Sequence, residues 1–126
     1  MPPTESVENN PASVPYGVSE MVANLNSFLG VTLVATLANV SDRTLPPSWA
    51  REGALLPNGE SLKRLFAAQR IWFQITEVET ETIARVWFIG KNPELGGQAP
   101  VMALREGKIT ETELAAKIFT KGSWPE

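Results

Sequence analysis

From residue 19 onward the chain is a series of short apolar stripes at helical spacing, each closed by glycine, proline or asparagine. Val22, Leu25 and Leu29 stand at i, i+3 and i+7, with Met21 and Phe28 beside them. Ser19 as N-cap, Glu20 in the first turn and Gly30 after the last apolar position predict a first helix over 19–29. Leu33, Val34 and Leu37, with Ala35 and Ala38 between, predict a short second helix near 32–38. Asn39-Val40-Ser41-Asp42 reads as a turn. With Thr44 as N-cap, Pro46 and Pro47 fall in a first helical turn, where N–H groups have no intrahelical partner. That predicts a third helix over about 45–52, ended near Gly53.

The second half repeats the scheme. Leu62, Leu65, Phe66, Ile71, Trp72 and Ile75 predict a long fourth helix over about 60–76. Ile83, Val86 and Trp87 define a fifth between Thr80 and Ile89, closed by Gly90. Asn92-Pro93-Glu94-Leu95-Gly96-Gly97 is a tight connector. Residues 99–106, with Pro100 early and Gly107 after the end, predict a short sixth helix. Thr110 and Glu113 read as a capping box opening a seventh, with Leu114, Ile118 and Phe119 as its apolar positions and Gly122 near its end. No stretch alternates with the period of a strand. The expected fold is all-α, about seven short helices. Its parts are a proline-rich arm at 1–17, read as disordered, a helix-turn-helix region at 18–58 and a second helical region at 59–126.

Two absences narrow the chemistry. The 126 residues contain no cysteine and no histidine. That excludes disulfides, thiolate nucleophiles, zinc sites of the Cys/His type and any imidazole base, so binding rather than catalysis is expected. No phosphate-binding loop, and hence no cofactor motif, is present: Gly96-Gly97 lacks a preceding strand and a following Lys-Ser/Thr. The acids Glu77, Glu79 and Glu81 could hold a divalent cation, but they also suit the N-terminus of the fifth helix, the reading favoured here, with no metal expected. The net charge of −3 argues against nucleic acid until it is divided along the chain. Residues 42–70 carry Arg43, Arg51, Lys63, Arg64 and Arg70 against Asp42, Glu52 and Glu60, the one basic window. No signal segment or membrane span is read, and the cytoplasm is the expected compartment.

Within that window the three short helices have the lengths of a helix-turn-helix unit. In such a unit the last helix enters the major groove of double-stranded DNA. Ser41, Arg43, Thr44, Ser48 and Arg51 lie at or near the third helix, where phosphates and base edges are met. An ordinary helical bundle with surface arginines fits the same pattern.

Taken as a set, Leu29 to Val40, Arg43-Thr44 and Trp49 to Gly53 resemble the helix-turn-helix half of Xre/ParS/MbcA-type antitoxins. Val86-Trp87-Phe88, followed by Asn92-Pro93-Glu94-Leu95-Gly96-Gly97-Gln98-Ala99-Pro100 and Leu104 to Gly107, resembles that family's toxin-binding region, and more specifically. The resemblance covers roughly residues 18–122. It implies a homodimer that represses its own operon and neutralises a RES-domain toxin, an NAD-degrading enzyme, by binding it. The enzyme would be the partner, not this chain. Trp87, Asn92, Pro93, Leu95, Gly96, Gly97, Pro100 and Gly107 match the toxin-facing motif. For Trp87 a core role, and for the glycines a positive φ, compete with direct contact. Lys121 and Trp124, at the end of the last helix and beyond it, are read as partner contacts, Trp124 as an aromatic anchor. The chain departs from the family's pattern at Leu45-Pro46-Pro47, where plain helix formers are usual. An interaction module or orphan repressor of the same fold, phage-borne and without a toxin, is the alternative.

Overall fold

Short helices need an end at every few residues, and most of the ends here are built by named side chains. The computed structural model describes residues 14–51, 53 and 55–122. They form α1 (Val14–Leu29), α2 (Val31–Ala38), α3 (Leu45–Trp49), α4 (Gly59–Thr76), α5 (Glu81–Ile89), a 3-10 turn (Pro93–Leu95), α6 (Pro100–Arg105) and α7 (Ile109–Gly122). No strand occurs among the described residues, and the fold is all-α. The Asn58 side chain accepts the Ser61 N–H at 2.8 Å to open α4, and the Thr80 hydroxyl accepts the Ile83 N–H at 3.2 Å to open α5. At the end of α2, Asn39 takes the left-handed conformation (φ 64°). There the Asn39 N–H bonds the Thr36 carbonyl and the Val40 N–H bonds that of Ala35. Gly107 (φ 84°) ends α6 in the same way.

Three boundaries differ from the sequence reading. α1 begins at Val14, not 19, so Ser19 lies inside the helix and is not its N-cap, and the arm predicted over 1–17 loses its last four residues to α1. Proline in a first turn forfeits an N–H that has no intrahelical partner there, which is why Pro15 does not delay the start. α3 stops at Trp49, short of 52, and Thr44 donates to Asp42 instead of capping the helix. The capping box does not form: α7 begins at Ile109, and the Glu113 carboxylate is bound by Arg70 at 2.7 Å.

One core joins both halves of the chain. Phe28 of α1 stacks on Trp72 of α4 at 4.6 Å between ring centroids, and Trp72 faces Phe88 of α5 at 6.5 Å. Val22, Leu25, Leu37, Leu65, Ile71, Ile75 and Leu104 are fully enclosed around them. Burial of a side chain of this size stabilises by about 1.5–3 kcal/mol. Four positions predicted as helix-forming apolar contacts lie outside this core: Ile83, Val86, Leu114 and Ile118 are exposed. In α7 the enclosed positions are Thr112, Ala115, Ala116 and Thr120. Small residues let α7 lie close against α4, and the larger apolar ones are turned outward. Both buried threonine hydroxyls are satisfied within the helix, by the Lys108 carbonyl at 2.6 Å and that of Lys117 at 3.0 Å. Gly17–Leu29 and Val31–Ala38 meet at 120°, and no single helix among the described residues is long and apolar enough to cross a membrane.

Three arginines fasten helices to one another by their ends. Arg85 Nε donates to the Phe28 carbonyl (2.8 Å), Arg105 Nη1 to that of Thr36 (3.1 Å) and Arg64 Nε to that of Leu104 (2.9 Å). Each carbonyl lies in the last turn of a helix, where the macrodipole favours a cation, and those of Thr36 and Leu104 accept the guanidinium in addition to the N–H groups of Asn39 and Gly107. Arg105→Met should keep the packing of the stem but lose this bond, lowering stability by about 1.5 kcal/mol. Chemical denaturation of the variant checks this. An unchanged midpoint would mean that water caps α2 equally well.

Candidate functional site

Two surfaces carry the residues singled out by sequence. The first surrounds α3. Pro46 and Trp49 are buried, and the Pro46 carbonyl accepts from Asn26 Nδ2 of α1 at 3.1 Å, so α3 is clamped by its inner side. The Asn26 Oδ1 is buried without a partner. Ser41, Arg43, Thr44 and Arg51 are exposed, and Ser48 is half-buried. Asp42 accepts both the Thr44 N–H (2.9 Å) and the Thr44 hydroxyl (2.6 Å). These two bonds, the hydroxyl's first, hold the Asp42 carboxyl below its ordinary pKa. The Arg51 guanidinium reaches Ser48 Oγ at 3.5 Å, at the limit of a hydrogen bond. Among the described residues Arg43 has no hydrogen-bond or ion-pair partner.

The contrast with the other arginines is the useful observation. Arg64, Arg85 and Arg105 are bound to carbonyls, and Arg70 to Glu113. Arg43 and Arg51, which flank α3, have no such partner among the described residues. The basic window of the sequence is thus smaller in the fold than in the count. Arg64 and Arg70 are engaged, and Lys63 lies 3.6 Å from Glu60.

The second surface is the connector after α5 and the cleft beside it. Asn92, only 8% exposed, makes four of the connector's hydrogen bonds. Its Oδ1 accepts the Glu94 N–H at 2.9 Å, and its carbonyl accepts from Leu95 (2.9 Å) and Gly97 (2.8 Å). Its own N–H reaches the Gln98 carbonyl at 3.3 Å. Pro93, Gly96 and Gly97 are exposed on this turn and Leu95 is half-buried against the core. Gly96 (φ 67°) and Gly97 (φ 89°) are both left-handed, and a Cβ on either would meet nothing. Backbone conformation alone therefore requires glycine there. Pro100 is buried at the start of α6, and Gly107 lies against the Arg64 guanidinium.

Beside the turn, Trp87, Lys91, Asn92, Pro93, Ile118 and Phe119 line a cleft of about 310 Å³. Trp87 is 8% exposed, packs on Phe88 and Phe119, and leaves its indole N–H without a partner. Comparison with known proteins finds no match: no family model, curated protein or solved structure aligns with this chain. The site rests on its own geometry. Lys121 is exposed at the end of α7, on the helix that supplies Ile118 and Phe119, and Trp124 lies outside the described residues. Lys91, Ile118 and Phe119 were not read as site residues from sequence. The signal was present in Leu114 and Ile118, whose spacing puts them on a face that the small residues of α7 leave outside. Glu81 takes the first turn of α5, and among the described residues no group of three or more acids is placed to hold a metal ion.

Two outcomes test these local assignments. Gly97→Ala should cost about 1–2 kcal/mol through its left-handed backbone, although its methyl meets open space. Equilibrium denaturation reads this, and a neutral substitution would show that the turn relaxes freely. A depressed Asp42 pKa means that its hydrogen bonds persist above the ordinary aspartate range and are lost as pH falls through the lower, folded value. A carboxyl-carbon NMR titration should place the Asp42 midpoint below that of free aspartate. A midpoint at or above it would contradict the turn.

Proposed function

We propose that this chain is a DNA-binding, antitoxin-like transcriptional regulator that acts as a homodimer. It represses its own operon and neutralises a RES-type NAD-degrading toxin by binding it. The observation that carries the reading is the placement of Arg43 and Arg51. Among the described residues they are the two arginines bound to no carbonyl or carboxylate, and they stand just beyond the two ends of a short helix held by Asn26 and by the buried Trp49. Guanidinium groups so placed beside a fixed helix suit phosphate and guanine recognition. Pro46 and Pro47 sit in the first turn of α3, so they do not remove intrahelical donors, and the buried Pro46 supports the clamp.

The rigid Asn92–Gln98 turn and its cleft supply the second half of the reading. Protein partners are held by rigid turns and by pockets that take a large side chain, and this surface combines both. The toxin assignment itself rests on the resemblance of residues 86–107 to the antitoxin family.

A gel shift against the DNA upstream of the chain's own reading frame tests the first half. Binding should weaken steeply with salt, and Arg43→Ala and Arg51→Ala, each present twice in the dimer, should each lower the salt slope by about two. Arg70→Ala, which removes only an ion pair within the fold, should leave the slope unchanged. Absence of binding at low salt, or equal effects from all three variants, would contradict the proposal. For the second half, a RES-domain toxin encoded beside the gene should stop consuming NAD when this protein is added.

A further inference from the structure

The cleft beside the connector opens toward the end of α7. Ala115, Ile118, Phe119 and Gly122 stand at i, i+3, i+4 and i+7, so they share one side of that helix. Ala115 is buried, Phe119 half-buried, and Ile118 and Gly122 exposed. The stripe thus leads from the inside of the cleft to the last residue of α7. Trp87, from α5, supplies the facing aromatic wall, and its indole N–H has no partner among the described residues. The cleft is chiefly apolar and measures about 310 Å³. A cavity of about 150 Å³ accepts a benzene ring, so there is room here for an indole.

Ser123-Trp124-Pro125-Glu126 follows α7 in the sequence. Pro125 disfavours helical backbone at Trp124, so the sequence predicts a stop for α7 before that residue. Two extended residues span about 7 Å, and Gly122 stands about 4.5 Å along the axis from Phe119 and about 6 Å from Ile118. Trp124 is therefore within reach of the cleft. We infer that Trp124 of the same chain occupies this cleft, its ring against Ile118, Phe119 and Trp87. A tether this short keeps the ring at an effective concentration on the order of millimolar or above, ahead of any dilute ligand. The tail also brings backbone carbonyls, the acceptor type that the Trp87 N–H lacks. The inference rests on the reading of the cleft as a partner-binding surface and gives that surface its regulation. A partner entering the cleft must displace Trp124, so its apparent affinity falls by the fraction of time the cleft is vacant. While docked, Trp124 is also withheld from any pocket on the partner, so one contact holds back both surfaces.

Nuclear Overhauser spectroscopy of the full chain, alone in solution, tests this. The Trp124 ring protons should show cross-peaks to the Ile118 methyls and to the Phe119 and Trp87 rings. Trp124→Ala should speed exchange of the Trp87 Nε1–H by at least ~10-fold, because its cover is lost. Ile118→Glu, at an exposed position, should abolish the Trp124 cross-peaks and preserve those among Phe28, Trp72 and Phe88, which report the folded core. A Trp124 ring with no cross-peak to the cleft and the chemical shifts of an unfolded chain would overturn the inference. Cross-peaks found only between labelled and unlabelled copies would overturn it too, since the ring would then come from a second chain. Neither toxin nor DNA is present in these measurements. Continued NAD consumption by the toxin, with the Trp124 cross-peaks in place, would overturn the functional reading and leave the docked tryptophan standing.

Discussion

Every helix leaves its last carbonyls without an intrahelical donor, whatever its length, and a chain built from short helices is crowded with such ends. Guanidinium groups from elsewhere in the sequence meet that demand here. Arg85 closes α1, Arg105 closes α2 and Arg64 closes α6, each at a distance of 40 residues or more along the chain. The links run between the N-terminal and C-terminal regions and within the latter. They fix the angles at which helices of five to eighteen residues leave the core. The aromatic stack of Phe28, Trp72 and Phe88 supplies the burial, and the arginines determine which ends are brought to it.

That use of arginine reshapes the electrostatics. By count, residues 42–70 are the basic part of an acidic chain. In the fold, Arg64 caps a helix and Arg70 holds Glu113, and Arg43 and Arg51 at α3 are the two arginines bound to no carbonyl or carboxylate among the described residues. Two guanidinium groups give weak attraction to a polyanion. In the regulator proposed above, a dimer would present them twice.

Much of the fold was legible in sequence because its stops are local. Gly30, Asn39, Asn58, Thr80, Gly90 and Gly107 all act at helix ends, and all belong to residue types favoured there. What was hidden depends on contacts between distant residues. Thr110 and Glu113 have the spacing of a capping box, yet Glu113 is taken by Arg70, 43 residues earlier. Leu114 and Ile118 have the spacing of a core stripe, yet Ala115 and Ala116 admit the closer approach to α4 and win the interior. Periodicity identifies an apolar stripe but cannot say which of two stripes faces the core. The same limit concealed the double-sided character of α5. The connector was read correctly as a turn. That Asn92 makes one side-chain and three main-chain bonds within it follows only from the folded geometry.

The central claim is a division of labour among six arginines, and their side-chain Nε–H groups report it directly. In hydrogen-exchange NMR of the folded protein, the Nε–H of Arg64 and Arg85 should exchange slowly, each held by a carbonyl, whereas Arg105 is held through Nη1. Those of Arg43 and Arg51 should exchange at the rate of free arginine and should be the two that shift when operator DNA is added. Equal exchange at all of these sites, or DNA-induced shifts centred on Arg64, Arg85 or Arg105, would contradict the account.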